Sequence, residues 1–195
     1  CLGEDIEFFK QEGLKRLMQQ IKTDLDTFRV NFDVFTSEQS LYDHGYVEDV
    51  LNSFKKNNDC YIEDDALWLR TTKFGDDKDR VIVKNDGSYT YLLPDIANHV
   101  HKIARGFDEL IDVFGSDHHG YVNRLKASLD ILGYDSSILE VKLLQMVRLL
   151  KDGEEIKISK RTGKTITLND LIEEVGINAT RYFFANKSLD TQLDF

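Results

Sequence analysis

Near its C-terminal end the chain reads "EEIKISKRTGKTITLNDL" (154–171), where Lys157, Lys160, Arg161 and Lys164 fall within eight residues, with Ser159 between two lysines and Gly163 beyond them. Flexible lysines can follow a phosphoryl group as charge builds on it, and a serine hydroxyl and backbone N–H groups can donate to the same oxygens. The outline is that of a phosphate clamp, although the same composition also suits a solvated surface turn. A second candidate is "FGSDHHGY" (114–121), where an apolar strand pattern gives way to a helical one. Open α/β sheets bind ligands at such junctions, with a helix N-terminus facing the strand ends. Gly115 permits close approach by a ligand, Asp117 could accept from ribose hydroxyls, and His118 or His119 could bond a phosphate or polar substrate group. The competing reading is that Ser116 or Asp117 only caps the helix. Adjacent histidines diverge on a helix and no third ligand is evident, so no metal site is expected. A third candidate is Tyr91 with Asp95, four residues apart at a strand-to-helix junction. A carboxylate beside an aromatic ring can hold a planar cation by paired hydrogen bonds and stacking. Alternatively, Asp95 serves the helix dipole and Tyr91 is an ordinary strand aromatic.

The chain that must position these groups has 195 residues, 41% of them hydrophobic and 31% charged, which is enough for one or two domains with a real core and argues against disorder. A net charge of −10 argues against a broad nucleic-acid-binding face carried by bulk charge, so any anion site has to be local. No run approaches the apolar length that crosses a bilayer, and "CLGEDIEFFKQEG" lacks the form of a secretion signal, so a cytoplasmic protein is expected. Cys1 and Cys60 have no metal-type spacing and read as reduced thiols. A first residue other than Met suggests a piece of something longer.

The apolar positions Leu14, Leu17, Met18, Ile21, Leu25 and Phe28 predict an amphipathic helix, "NFDVF" (31–35) a strand, and Val47, Val50, Leu51 and Phe54 one face of a second helix. Strands are predicted at "ALWLRT" and "RVIVK" and again around residues 88–93, the last two joined by a hairpin at Asn85-Asp86-Gly87-Ser88. The polar run "KFGDDKDR" (73–80) reads as a solvated loop. Pro94 predicts a helix start, with Ile96, Val100 and Ile103 inward over 95–105 and Gly106 as the stop. Residues 109–133 predict a strand, a glycine turn and a helix with Val122, Leu125, Leu129 and Leu132 buried. "LEVKLLQMVRLL" reads as a strand turning at "KDG" into a hairpin, with a helix over 140–150 as the alternative. Thr167 and Asp170 predict a capping box, Gly176 ends that helix, and a last helix follows at about 178–187.

Taken in order, "ALWLRTTKFGDDKDRVIVKNDGSYTYLLPDIANH", "VFGSDHHGYVNRLKASLDILGYD", "LLQMVRLLKDGEEIKISKRTGK" and "TLNDLIEEVGINATRYFFANKSLDTQLDF" closely resemble the arginyl-tRNA synthetases, and the resemblance is colinear over nearly the whole chain. It implies an α/β fold: the second half of a class I synthetase Rossmann-like nucleotide-binding fold at 94–195, reaching the start of a helical linker, with a small mixed α/β inserted unit at 1–93. It implies an enzyme that activates arginine with ATP and passes the arginyl group to tRNA(Arg). ATP would enter as a substrate with Mg²⁺, no cofactor would be tightly bound, and the complete protein would be a monomer. "KISKR" looks like the class I signature loop Lys-Met-Ser-Lys-Ser, with Lys157, Ser159 and Lys160 matching and Ile158 and Arg161 departing. By the same resemblance Gly115 and Asp117 lie on the ATP side, the backbone of Met146 and Val147 would meet adenine, and Tyr91, Asp95 and His118 would bind arginine.

Class I enzymes also carry a His-x-Gly-His signature, and none of the five histidines, at 44, 99, 101, 118 and 119, forms one. The chain alone is therefore expected not to charge tRNA. Two alternatives stay open: a class I synthetase for another amino acid, and a non-catalytic relative that binds arginine or tRNA.

Overall fold

The computed structural model describes residues 6–151, 153–155 and 166–195. Its elements run α1 (Ile6–Thr27), α2 (Glu38–Asp43), α3 (Tyr46–Lys56), β1 (Cys60–Glu63), β2 (Ala66–Leu69), β3 (Arg80–Val83), α4 (Leu92–Ala104), β4 (Leu110–Gly115), α5 (His119–Ile131), β5 (Leu139–Leu144), β6 (Val147–Arg148), β7 (Leu150–Lys151), β8 (Glu154–Glu155), α6 (Leu168–Val175), α7 (Ile177–Ala185) and β9 (Leu193–Asp194). The architecture is mixed α/β, as the sequence predicts. By compactness the chain forms two units, residues 36–146, and residues 6–35 with the described residues of 147–195.

The 36–146 unit is built around one apolar cluster. α3 buries Val47, Val50, Leu51 and Phe54, the face its periodicity predicts. α4 contributes Leu92, Leu93, Ile96 and Ala97, α5 contributes Leu125, Leu129 and Ile131, and Leu69, Ile82, Leu110 and Leu139 join them from four strands. β1, β2 and β3 form an antiparallel sheet. The β1–β2 hairpin was not predicted. Its turn residues Asp64 and Asp65 have φ of 50° and 59°, the left-handed pair that a two-residue hairpin of this hand needs and that aspartate tolerates. β4 and β5 pair in parallel, from Leu110 against Leu139 to Gly115 against Leu144, with α5 as the crossover.

Several predicted elements differ. Residues 31–35 are not a strand. The predicted third strand around 88–93 shrinks to a single antiparallel bridge between Val83 and Tyr89, because α4 starts at Leu92 and takes the next residues. Pro94 thus sits in the third residue of the first turn, where its missing N–H costs nothing. β5 ends at Leu144 and excludes the alternative helix over 140–150.

The largest difference is at "KFGDDKDR". The run is held by a buried ion pair: Arg80 Nε donates to Asp76 Oδ2 at 2.6 Å and its Nη2 donates to Asp76 Oδ1 at 2.8 Å, with a further bond to Asp77. Thr71 Oγ1 donates to the Lys78 carbonyl at 2.8 Å, while the Thr72 N–H and hydroxyl donate to Asp79 Oδ1 at 3.1 and 2.7 Å. Composition marks this run as polar, but the fork of Arg80 turns it into a rigid strut.

In the other unit α1 lies beside the C-terminal helices. Asn169 Nδ2 donates to Asp24 Oδ1 at 2.7 Å, Arg181 Nη1 to the Phe28 carbonyl at 2.7 Å, and the Phe28 and Phe184 rings meet edge to face at 6.2 Å. The predicted capping box is present, with the Asp170 N–H bonded to Thr167 Oγ1 and the Thr167 N–H to the Asp170 carboxylate. β6 pairs in parallel with β9, and β7 pairs antiparallel with β8 through the turn at Gly153.

Burial pushes the Asp76 carboxyl up, but the Arg80 fork and the Asp77 and Thr71 bonds outweigh it and hold it down at about 2, against an ordinary 3.8. A carboxyl lowered on folding contributes stability above its unfolded value, and that contribution is lost as pH falls towards the folded value. Arg80→Ala is expected to cost about 3 kcal/mol by stranding the buried carboxylate. Urea unfolding at neutral pH and at pH 3 checks this, since the gap between Arg80→Ala and the parent should narrow at the lower pH.

Candidate functional site

Two of the three sequence candidates lie in the described part of the 36–146 unit and converge on the carboxyl end of β4. The reason is topological. A parallel strand followed by a crossover helix brings the helix N-terminus to the strand's carboxyl edge, and α5 starts four residues after β4 ends.

Gly115, the last residue of β4, is approached closely by the side chain two residues on. A Cβ there would stand 2.6 Å from Asp117 Oδ1, because the Asp117 side chain folds back over the strand end. Neither Ser116 nor Asp117 caps a helix with its side chain, so the simple capping reading does not hold. The exposed Asp117 carboxylate instead meets His118 Nδ1 at 3.0 Å. His118 stacks at a tilt on Phe114, 5.6 Å between centroids, and meets Tyr121 edge to face at 6.3 Å.

Asp95 lies in the first turn of α4, and the Tyr121 phenol donates to its Oδ2. Through Tyr121 and His118, the residues predicted for the two sides of the site form one connected group: Gly115, Asp117, His118 and Asp95. Tyr91 is the residue just before α4 and one turn from Asp95, and it is 85% exposed. Met146 follows β5 with its side chain exposed, and Val147 opens β6 in the other unit, paired with Leu193. Lys157, Ser159 and Lys160 lie outside the described residues. Among the described residues, no cluster of three or more His, Cys, Asp or Glu side chains suits a metal ion. No described helix is long and apolar enough to cross a membrane. Cys60 is half-buried, and burial with nearby Asp59 raises its thiol to about 11, which suits packing rather than chemistry.

Beneath this group lies a buried couple that sequence reasoning missed. His99 Nε2 meets Asp112 Oδ2 at 2.7 Å, His99 Nδ1 meets the Asp95 carbonyl at 2.7 Å, and Lys102 Nζ donates to Asp112 Oδ1 at 3.1 Å. Both ring nitrogens of His99 thus face oxygens. Burial pushes the Asp112 carboxyl up, but the His99 bond and charge, with the Lys102 charge, hold it below the usual carboxylate range. The signal was present: Asp112 alternates with Leu110 on the buried face of a strand, and an acid there needs partners one helix away.

Comparison with known proteins defines the class. A family model for the catalytic domain of class I tRNA synthetases (R) matches residues 3–192, and the chain belongs to that family. Within it, the chain is 57% identical over 192 residues to arginine–tRNA ligase 1 of Halalkalibacterium halodurans, covering 98% of this chain and 34% of that protein. It is 54% identical over 193 residues to the arginine–tRNA ligase of Bacillus subtilis, covering 99% and 35%. The chain thus spans about a third of the length of the curated relatives it matches. Among solved structures, a Campylobacter jejuni protein assigned as an arginyl-tRNA synthetase superposes with a TM-score of 0.85 at 41% identity, over 93% of this chain and 39% of that one. The Thermus thermophilus arginyl-tRNA synthetase shares the fold, with a TM-score of 0.78 at 14% identity, over 95% and 41%.

His99→Ala is expected to lower stability by about 2–4 kcal/mol, because it leaves the Asp112 carboxylate buried with Lys102 alone. Asp112 has a lowered folded pKa, so its share of stability is full above the ordinary carboxylate range and disappears as pH falls through the folded value. Asp112→Asn should therefore flatten the acid limb of a stability-versus-pH curve measured by chemical unfolding. An acid limb as steep as the parent's would contradict the assignment.

Proposed function

We propose that this chain is the second half of the catalytic domain of an arginine–tRNA ligase, residues 94–195, preceded by the inserted α/β unit at 1–93. The observation that carries the reading is the connected group of Gly115, Asp117, His118 and Asp95 at the carboxyl end of β4, in a chain more than half identical to arginine–tRNA ligases. The substrates are arginine, ATP with Mg²⁺, and tRNA(Arg), in a cytoplasmic protein that is a monomer when complete.

The likeness to arginine–tRNA ligases supports the following reaction. The arginine carboxylate attacks the α-phosphorus of ATP, the bond to pyrophosphate breaks, and arginyl-adenylate forms. A ribose hydroxyl of the terminal adenosine of tRNA then attacks the acyl carbon and AMP leaves. No covalent enzyme intermediate is needed, so the protein contributes position and charge. Asp95 accepts the planar guanidinium with paired bonds, a geometry that lysine's ammonium cannot match. Tyr91 flanks it one turn earlier, and His118 contacts the arginine from the β4 end. Gly115 and Asp117 stand on the ATP side, with Asp117 accepting from its ribose, while the backbone of Met146 and Val147 meets adenine. Lys157, Ser159 and Lys160 neutralise the pyrophosphate as it departs.

Asp95→Asn in the full-length protein is expected to lower kcat/KM for arginine by about a hundredfold or more, with the KM for ATP little changed, measured by aminoacylation. An unaffected variant would favour a synthetase for another amino acid. The 195-residue chain by itself, lacking the His-x-Gly-His signature, is expected to give no aminoacylation, and turnover near that of a complete synthetase would refute the assignment of its parts.

A further inference from the structure

The proposed guanidinium acceptor is itself held by a residue to which nothing above gives a role. Tyr121 stands in the first turn of α5, just past the turn that carries Asp117 and His118, and its phenol O–H donates to Asp95 Oδ2 on α4. Its ring is fixed on several sides. Phe114 meets it edge to face at 6.2 Å, His118 does the same at 6.3 Å, and the Arg124 guanidinium lies over it at 5.2 Å. Burial first, then the bond to Asp95 and its charge, push the phenol well up from its ordinary value, so it stays a donor across the neutral range.

A carboxylate on a short side chain turns readily about its last bond, since that torsion has only broad preferences. A donor locked on one oxygen fixes the plane of the group and leaves the other oxygen aimed. An ammonium ion is indifferent to that plane, whereas a guanidinium makes its two parallel bonds only when the two planes coincide. The aromatic neighbours of Tyr121 are Phe114 near the end of β4 and His118 in the turn that follows, so the aim of Asp95 is set from the carboxyl end of β4.

We infer that Tyr121 is a positioning residue for guanidinium capture, holding the Asp95 carboxylate in the plane that accepts arginine's paired N–H groups. The inference rests on the reading of Asp95 given under the proposed function.

The test is Tyr121→Phe in the full-length protein, which removes the hydroxyl and keeps the ring and its stacking, with Asp95→Asn measured beside it. Steady-state aminoacylation of Tyr121→Phe should show a KM for arginine raised about tenfold to a hundredfold, with the KM for ATP within about twofold of the parent. If Asp95→Asn loses arginine use while Tyr121→Phe leaves the arginine KM unchanged, the role of Tyr121 is overturned and that of Asp95 stands. If Asp95→Asn leaves arginine use unchanged, the underlying reading fails. Equal rises in both KM values for Tyr121→Phe would mark general damage to the turn and would also overturn the positioning role.

Discussion

A carboxylate sits inside the buried face of β4, and the site depends on how it is neutralised. Asp112 stands between Leu110 and Phe114 on a strand whose inward positions are otherwise apolar, and a lone charge there would cost several kcal/mol. His99 and Lys102, one turn apart on α4, supply the compensation. Because a buried ion pair tolerates little misalignment, the couple fixes both the rotation and the height of α4 against β4. The other ring nitrogen of His99 grips the carbonyl of Asp95, so the backbone of the first turn of α4 is tied to the same anchor.

From that anchor the site is assembled by short links. Asp95 is held by its carbonyl from below and by Tyr121 at its side chain, and Tyr121 rests on Phe114 and His118 at the end of the strand that carries Asp112. A closed circuit thus runs from β4 to α4, across to α5 and back to β4. Circuits of packed rings and charge-assisted bonds deform less than single contacts do. The exposed residues of the group, Asp117 and His118, stand on this frame at the open end of the strand.

Much of the framework could be read from residue types, and the exceptions share a cause. The helical face of α3, the Leu125 and Leu129 positions of α5, the β4 turn and the capping box of α6 are local patterns in which each residue's neighbours in sequence are its neighbours in space. The strut at Asp76 and Arg80 and the couple at His99 and Asp112 depend on side chains that look solvated when counted by composition. The partners stand 4 residues apart in the first case, in a run with no helical or strand periodicity to pair them, and 13 apart in the second. The candidate site was half legible. Gly115, Asp117, His118 and Asp95 belong to junctions that sequence marks clearly, whereas the residue that ties them together, Tyr121, reads as one more aromatic on a helix. Tyr91 stands one turn before Asp95 and is 85% exposed, an exposure that spacing does not foretell.

Gly115 has a consequence for anyone redesigning the protein. Its φ is −66°, an ordinary value for any residue, and methods that raise melting temperature by replacing such glycines with alanine would select it. The obstacle is absent from its own torsions and lies two residues on, where the Asp117 carboxylate occupies the space a methyl group would need. Alanine there would swing that carboxylate away from the strand end, so a variant chosen for heat resistance would carry a rearranged acid in the candidate site. Thermal screening by itself would pass it as an improvement.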